Sequence, residues 1–96
     1  MSNPKVGDVY LIKNEQPGIN GYNFARVERI AGDSVITCDN HLLYVSYTSS
    51  FNPEDYFDTD EHVGYTKSQL KQLFEKGTIE TVFQEYDEET GFNRVK

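Results

Sequence analysis

Residues Tyr22–Asp39 read YNFARVERIAGDSVITCD: two runs rich in β-branched and aromatic residues on either side of Gly32-Asp33. A two-residue connection with glycine first is a strong short-range hairpin signal, because glycine accepts the positive φ that a primed turn requires. Tyr22–Ala31 and Ser34–Asp39 are therefore expected to be antiparallel strands at the centre of a small sheet. In the first, Ala25 and Val27 alternate with Arg26 and Glu28, the pattern of a strand with one wet face. The phase slips across Glu28–Ile30, which predicts a bulge.

Working outward, Val6–Lys13 (VGDVYLIK) reads as the preceding strand, with a turn or bulge at Gly7-Asp8 where it begins. The connection Asn14–Gly21 holds the turn dipeptides Pro17-Gly18 and Asn20-Gly21 and is long for a hairpin. That length makes it a candidate binding loop, against the plainer reading of a variable surface loop. After Asp39-Asn40, His41–Ser49 (HLLYVSYTS) is expected as a fourth strand. The β pattern then breaks in an acidic loop, residues 52–64, where Pro53 can open a short helical turn.

The best-specified element follows. Thr66 is suited to N-cap a helix, Gln69 completes a capping box, and Tyr65 with Leu70 makes a hydrophobic staple. Leu70, Leu73 and Phe74 form a narrow apolar stripe, and Gly77 stands where a left-handed C-terminal cap belongs. Lys67–Lys76 is thus predicted to be one short amphipathic helix, too short to be stable undocked. Thr78–Tyr86 reads as a fifth strand. Residues 87–96 read as a C-terminal hairpin or tail, with Gly91 at a left-handed position and Phe92–Val95 as a short sixth strand or a frayed end.

The expected fold is mainly β (α+β): a small SH3-like antiparallel barrel, or a curled sheet of five to six strands, with one short helix at about 67–76. At 96 residues the chain makes one domain, 1–96, with one modest core. Aromatics are 14% of the residues, and each ring buries roughly 150–250 Å², which is how a thin core acquires area. A single cysteine rules out an internal disulfide and fits a reducing compartment. No apolar leader or spanning run is visible, so a complete chain of this kind is expected in the cytoplasm; a mature chain whose signal peptide had been removed would look the same.

The net charge of −7 is uneven. Up to Phe51 five acids face four bases, and beyond it eleven acids face five bases. Without a basic footprint, nucleic acid and anionic membrane are disfavoured, and a basic protein partner is favoured. The plainer reading is a negative surface that keeps the domain dispersed.

Catalytic and metal signatures are weak. Cys38 and His41 give a C-x-x-H pair, but a structural zinc needs about four ligands and the other histidine, His62, is distant in sequence. A buried cysteine beside a turn histidine is the plainer reading. The same pair read as a nucleophilic dyad has no visible orienting group. Ser68–Lys71 spells S-x-x-K without its companion motifs. Asp58 and Asp60 have the first spacing of a calcium loop, but Val63 replaces its glycine and Gln69 its bidentate glutamate. Paired carboxylates of the glycosidase kind need a cleft that this length hardly builds. No enzyme, cofactor or metal is expected.

What remains is a charged surface with aromatics in it. Tyr56 and Phe57 lie among Glu54, Asp55, Asp58, Asp60 and Glu61, and rings among carboxylates make a candidate partner-binding patch. The competing reading turns the rings inward and leaves the acids solvated. At VGDVYLIK, YNFARVERIAGDSVIT and YTKSQLKQLFEKGTI, residues 6–37 and 65–79, the chain resembles small bacterial immunity proteins, the cytosolic antidotes of polymorphic or contact-dependent toxins. The resemblance rests on structural motifs, a V-G-D-x-[YF] strand and an aromatic strand ending R-V-x-[RK]-I, and carries no catalytic residue. It implies a non-enzymatic inhibitor that covers a toxin's active site. The alternative is an adaptor or peptide-binding module. The sequence specifies neither partner nor oligomeric state.

Overall fold

The structure, a computed structural model of the chain, describes residues 4–14, 21–46, 50–84 and 89–96. Its elements in order are β1 (Val9–Asn14), β2 (Gly21–Ala31), β3 (Ser34–Asn40), β4 (Phe57–Thr66), α1 (Lys67–Lys76) and β5 (Ile79–Phe83). They build one antiparallel sheet of five strands in the order β4-β3-β2-β1-β5. Its edges β4 and β5 do not pair with each other, so the sheet is curled rather than closed into a barrel.

The central hairpin forms as its residues dictate. Ala31 pairs with Ser34 across Gly32-Asp33, and Gly32 takes φ +60°. The register slips between Val27 and Arg29, making Glu28 the extra residue of a bulge. β1 starts three residues later than its sequence suggests, because Gly7 adopts φ +95°. The backbone there still exchanges hydrogen bonds with β2 through Gly7 N to Val27 O and Val27 N to Asp8 O.

Alternation along the strands divides the core into two layers. Tyr10, Val27, Val35 and Ile79 cover one face, where Leu70 of α1 docks with Leu73 and Phe74 beside it. The other face carries Val9, Leu11, Phe24 and Cys38 under Tyr44, Phe51, Phe57 and Phe92. Phe24 is the hub of this aromatic layer, with ring centroids 5.3 Å from Tyr44, 5.3 Å from Phe51 and 5.1 Å from Phe92.

Helix α1 has the predicted boundaries and both predicted caps. The Thr66 hydroxyl accepts from Gln69 N, Gln69 Oε1 accepts from Thr66 N, and Gly77 is left-handed at φ +82°. The helix joins β4 to β5, the two opposite edges of the sheet. Ten residues rise about 15 Å, whereas five flat strands span about 19 Å from first to last. A helix this short bridges the edges only if the sheet curls, and the apolar stripe supplies the surface it curls around.

One expected strand, His41–Ser49, does not form over its described residues. Residues 41–46 run as bends with a single bridge, Tyr22 to Tyr44, and 47–49 lie outside the described residues. The strand beside β3 is instead Phe57–Thr66, assigned above to the acidic loop. The reason is a side chain. Asp55 Oδ1 accepts from the backbone N–H groups of His41 (3.0 Å), Leu42 (3.1 Å) and Tyr56 (2.8 Å), and His41 N also donates to Tyr56 O at 2.8 Å, so this backbone gathers around a carboxylate and one carbonyl rather than extending as a ladder along β3. Pro53-Glu54 forms a turn without continuing into a helix. The C-terminal tail does not fray: Phe92 is fully buried and Val95 bridges Phe57. The candidate loop at 15–20, the end of the fifth strand at 85–86 and the start of the C-terminal loop at 87–88 lie outside the described residues.

Candidate functional site

The seven residues proposed as a partner-binding patch do not stay together. Asp55 is buried, and its carboxylate gathers Asn40 Nδ2 (3.2 Å) and the Tyr44 hydroxyl (2.5 Å) as well as the three backbone donors. Phe57 is fully buried in the aromatic layer, 4.6 Å from the Phe51 ring. Neither side chain is presented to a partner, which corrects their place in the patch: both hold the chain between β3 and β4 in place.

Glu54 and Tyr56 stay at the surface in a basic neighbourhood. The Tyr56 ring stacks on His41 at 4.8 Å, and Lys96 Nζ stands 4.9 Å from its centroid. With Arg94 they border a shallow depression. His41 is therefore engaged with Tyr56, not with Cys38.

Asp58, Asp60 and Glu61 form the third group, on the edge strand β4. Between Cys38↔His62 and Asn40↔Phe57 the register slips, so residues 58–61 bow outward opposite Asp39 alone. Asp58 Oδ1 accepts from Asp60 N at 2.9 Å and shapes the bow. Asp60 and Glu61 are exposed. Among the described residues, no lysine or arginine forms an ion pair with Asp58, Asp60 or Glu61. Burial, and then the charge of Glu61, raises the Asp39 carboxyl above its ordinary value. Asp39 thus belongs to the same acidic group, a membership that depends on the β3–β4 register.

The edge beyond the bow is only partly covered. Thr59 N donates to Lys96 O, Lys96 N donates to Phe57 O, and the Thr59 hydroxyl donates to Lys96 O, so the tail pairs with β4 at its beginning.

One further constellation lies beside the acidic bow, and the sequence reading did not assemble it. Cys38 on β3 stands directly opposite His62 on β4. The bulge at Glu28 turns that carboxylate toward both. The Cys38 thiol donates to Glu28 Oε2 at 3.0 Å, and the same oxygen is hydrogen-bonded to His62 Nε2. The thiol's hydrogen bond, with a lesser one from His62, holds the Glu28 carboxyl below its ordinary value. Burial, and then the neighbouring Glu28, pushes the Cys38 thiol up to about 12. The only sequence clues were the phase slip at Glu28 and the presence of one cysteine and two histidines. Choosing His62 over His41 required knowing that β4 pairs with β3.

No family model, no curated protein and no solved structure matches the chain.

Proposed function

We propose that this chain is a non-enzymatic protein-binding domain of the immunity or inhibitor kind, which neutralises a basic toxin domain by binding over it. The observation that carries this reading is the acidic bow of β4: Asp58, Asp60 and Glu61 on a sheet edge, without counter-cations among the described residues. Carboxylates in such a place raise the encounter rate with a basic surface and select against acidic ones. Sites that bind phosphate groups present cationic side chains and oriented N–H groups, and a row of fixed carboxylates is a geometric substitute for the phosphates. The underlying sheet keeps these groups in place at little entropic cost on binding.

The bow sits at the rim of the sheet, so its side chains contribute little to the core. Charge reversal by Asp58→Lys, Asp60→Lys and Glu61→Lys together is expected to leave the circular dichroism spectrum unchanged and to weaken partner binding by more than about tenfold, about 1.4 kcal/mol. Unchanged affinity with an intact fold overturns the assignment of the contact to β4.

A further inference from the structure

We propose that Glu28, Cys38 and His62 form a binding site for a borderline divalent transition metal ion of the zinc type, with a fourth position open to solvent. One oxygen, one sulfur and one nitrogen donor from three adjacent strands lie within 4.8 Å of one another. Thiolate, imidazole and carboxylate are the donor types that zinc takes, at about 2.3 Å, 2.0–2.1 Å and 2.0–2.2 Å respectively. Tetrahedral ligands at those lengths stand roughly 3.3–3.7 Å apart. The Glu28 Oε2 to Cys38 Sγ separation of 3.0 Å is therefore about half an ångström shorter than an ion between them needs.

The fold prepares this arrangement in two ways. Directly opposed residues in an antiparallel pair carry Cβ atoms about 4.5–5.5 Å apart, which lets the side chains of a cross-strand Cys–His pair converge on one ion. The bulge adds the third donor, because the register slip after Val27 places Glu28 where it reaches both. Cys38 is buried, whereas the side chains of His62 and Glu28 are 46% and 38% exposed. The sulfur is thus fixed, and the other two donors can close on an ion without moving a strand. A shallow depression lined by Glu28, Arg29, Ile36 and His62 gives access from solvent.

The charges agree. A thiolate and a carboxylate neutralise a divalent ion, and neutral imidazole adds nothing. Arg26 pairs with Cys38 across β2 and β3, Arg29 adjoins Glu28 in sequence and Asp39 adjoins Cys38, so charges of both signs flank the site. The field around the site is therefore mixed and does not repel a cation outright. On binding, the Cys38 S–H bond breaks, its electron pair forms the metal–sulfur bond, and the proton leaves to solvent. His62 gives up its Nε2 proton, which passes through solvent to Nδ1 so that the ring stays neutral, and the freed Nε2 lone pair and the Glu28 carboxylate exchange their mutual hydrogen bond for coordination. The ion would tie β2, β3 and β4 together immediately beside the acidic bow. Three protein ligands with one open position suit a labile or partner-completed site more than a closed structural one.

The test is titration of the full, tag-free chain, reduced beforehand, with Co²⁺ as a spectroscopic probe and then with Zn²⁺ in competition. The expected result is saturation at one ion per chain with a thiolate-to-cobalt charge-transfer band, displaced by Zn²⁺. The band is expected to vanish in Cys38→Ser. In His62→Ala and Glu28→Gln, affinity is expected to fall by at least about tenfold, since loss of even an outer-shell partner costs about 10–100-fold. His62 and Glu28 are surface residues, so these two variants remain folded if Cys38→Ser does not. Absence of a charge-transfer band in the wild-type chain overturns the proposal. So does cobalt affinity unaltered in both His62→Ala and Glu28→Gln.

Discussion

Among single residues, Asp55 does most to shape the chain outside the regular elements. Its carboxylate accepts from His41 N, Leu42 N, Tyr56 N, Asn40 Nδ2 and the Tyr44 hydroxyl, all around a side chain that water does not reach. Asn40 extends the network by accepting from Phe24 N at 2.7 Å, and the Tyr44 hydroxyl accepts from Asn52 N at 2.8 Å. Removing an acceptor that buried donors depend on leaves each with its desolvation cost. Asp55→Ala is expected to destabilise the domain by roughly 3 kcal/mol, read as a lower urea midpoint. Asp60→Asn, five positions along the same acidic run and exposed, is expected to change stability by less than about 0.5 kcal/mol. Equal effects of the two substitutions would contradict the division of this run into an internal and an external part. The sequence alone does not make that division: both residues are aspartates in one polar stretch. The information that separates them is the backbone of residues 41 and 42, whose N–H groups Asp55 accepts from and Asp60 does not.

At the scale of elements, local signals were reliable where all the relevant contacts are near in sequence. Thr66, Gln69, Leu70 and Gly77 define α1 within a dozen residues, and its boundaries, capping box and left-handed cap all appear as read. The Gly32-Asp33 turn and the bulge at Glu28 are local in the same sense. Strand β4 is the opposite case. His62-Val63-Gly64-Tyr65 alternates correctly for an edge strand, but five carboxylates between Pro53 and His62 mask that alternation, and charge on an edge strand is itself a normal protection against pairing with other chains. The candidate site inherited the difference. Once β4 takes the position beside β3, His62 meets Cys38 and Asp39 joins Glu61, neither of which is legible without the register. The cap offers an element-scale test. Thr66→Ala removes the hydroxyl that accepts from Gln69 N, and is expected to cost about 1 kcal/mol in chemical denaturation, with Thr66→Ser restoring most of it. No loss in the alanine variant would mean that docking of Leu70, rather than the cap, sets where the helix begins.

For the whole molecule, the governing facts are a curled sheet covered on both faces and an excess of negative charge. The expected open form, a curled five-stranded α+β sheet, is the one observed, and closure into a barrel does not occur. Burial of tyrosines in both layers makes stability depend on alkaline pH. Burial, with a contribution from Asp8, raises Tyr10 from 10.0 to about 12. Burial also raises Tyr44, helped by its hydrogen bond to Asp55, and Tyr65, helped by Asp39. In the unfolded chain these phenols ionise near 10, so above that pH the folded state holds more protons and stability falls as pH rises. Unfolding free energy is therefore expected to begin to decline near pH 9, where the Cys38 thiol of the unfolded chain ionises, and to fall more steeply from 10 toward 12 as the phenols follow, measured by denaturant titrations at successive pH values. A flat profile across that window would contradict the burial of the phenols.

Whether the acidic bow of β4 is the partner-binding surface is decided by capture of a partner from lysate of the native cell, on immobilised wild-type chain and on the Asp58, Asp60 and Glu61 charge-reversed variant side by side. One stoichiometric basic protein is expected on the wild-type chain at low salt, released as ionic strength rises and absent from the variant. A partner held equally by both chains, or held with the same affinity at low and high salt, would contradict it.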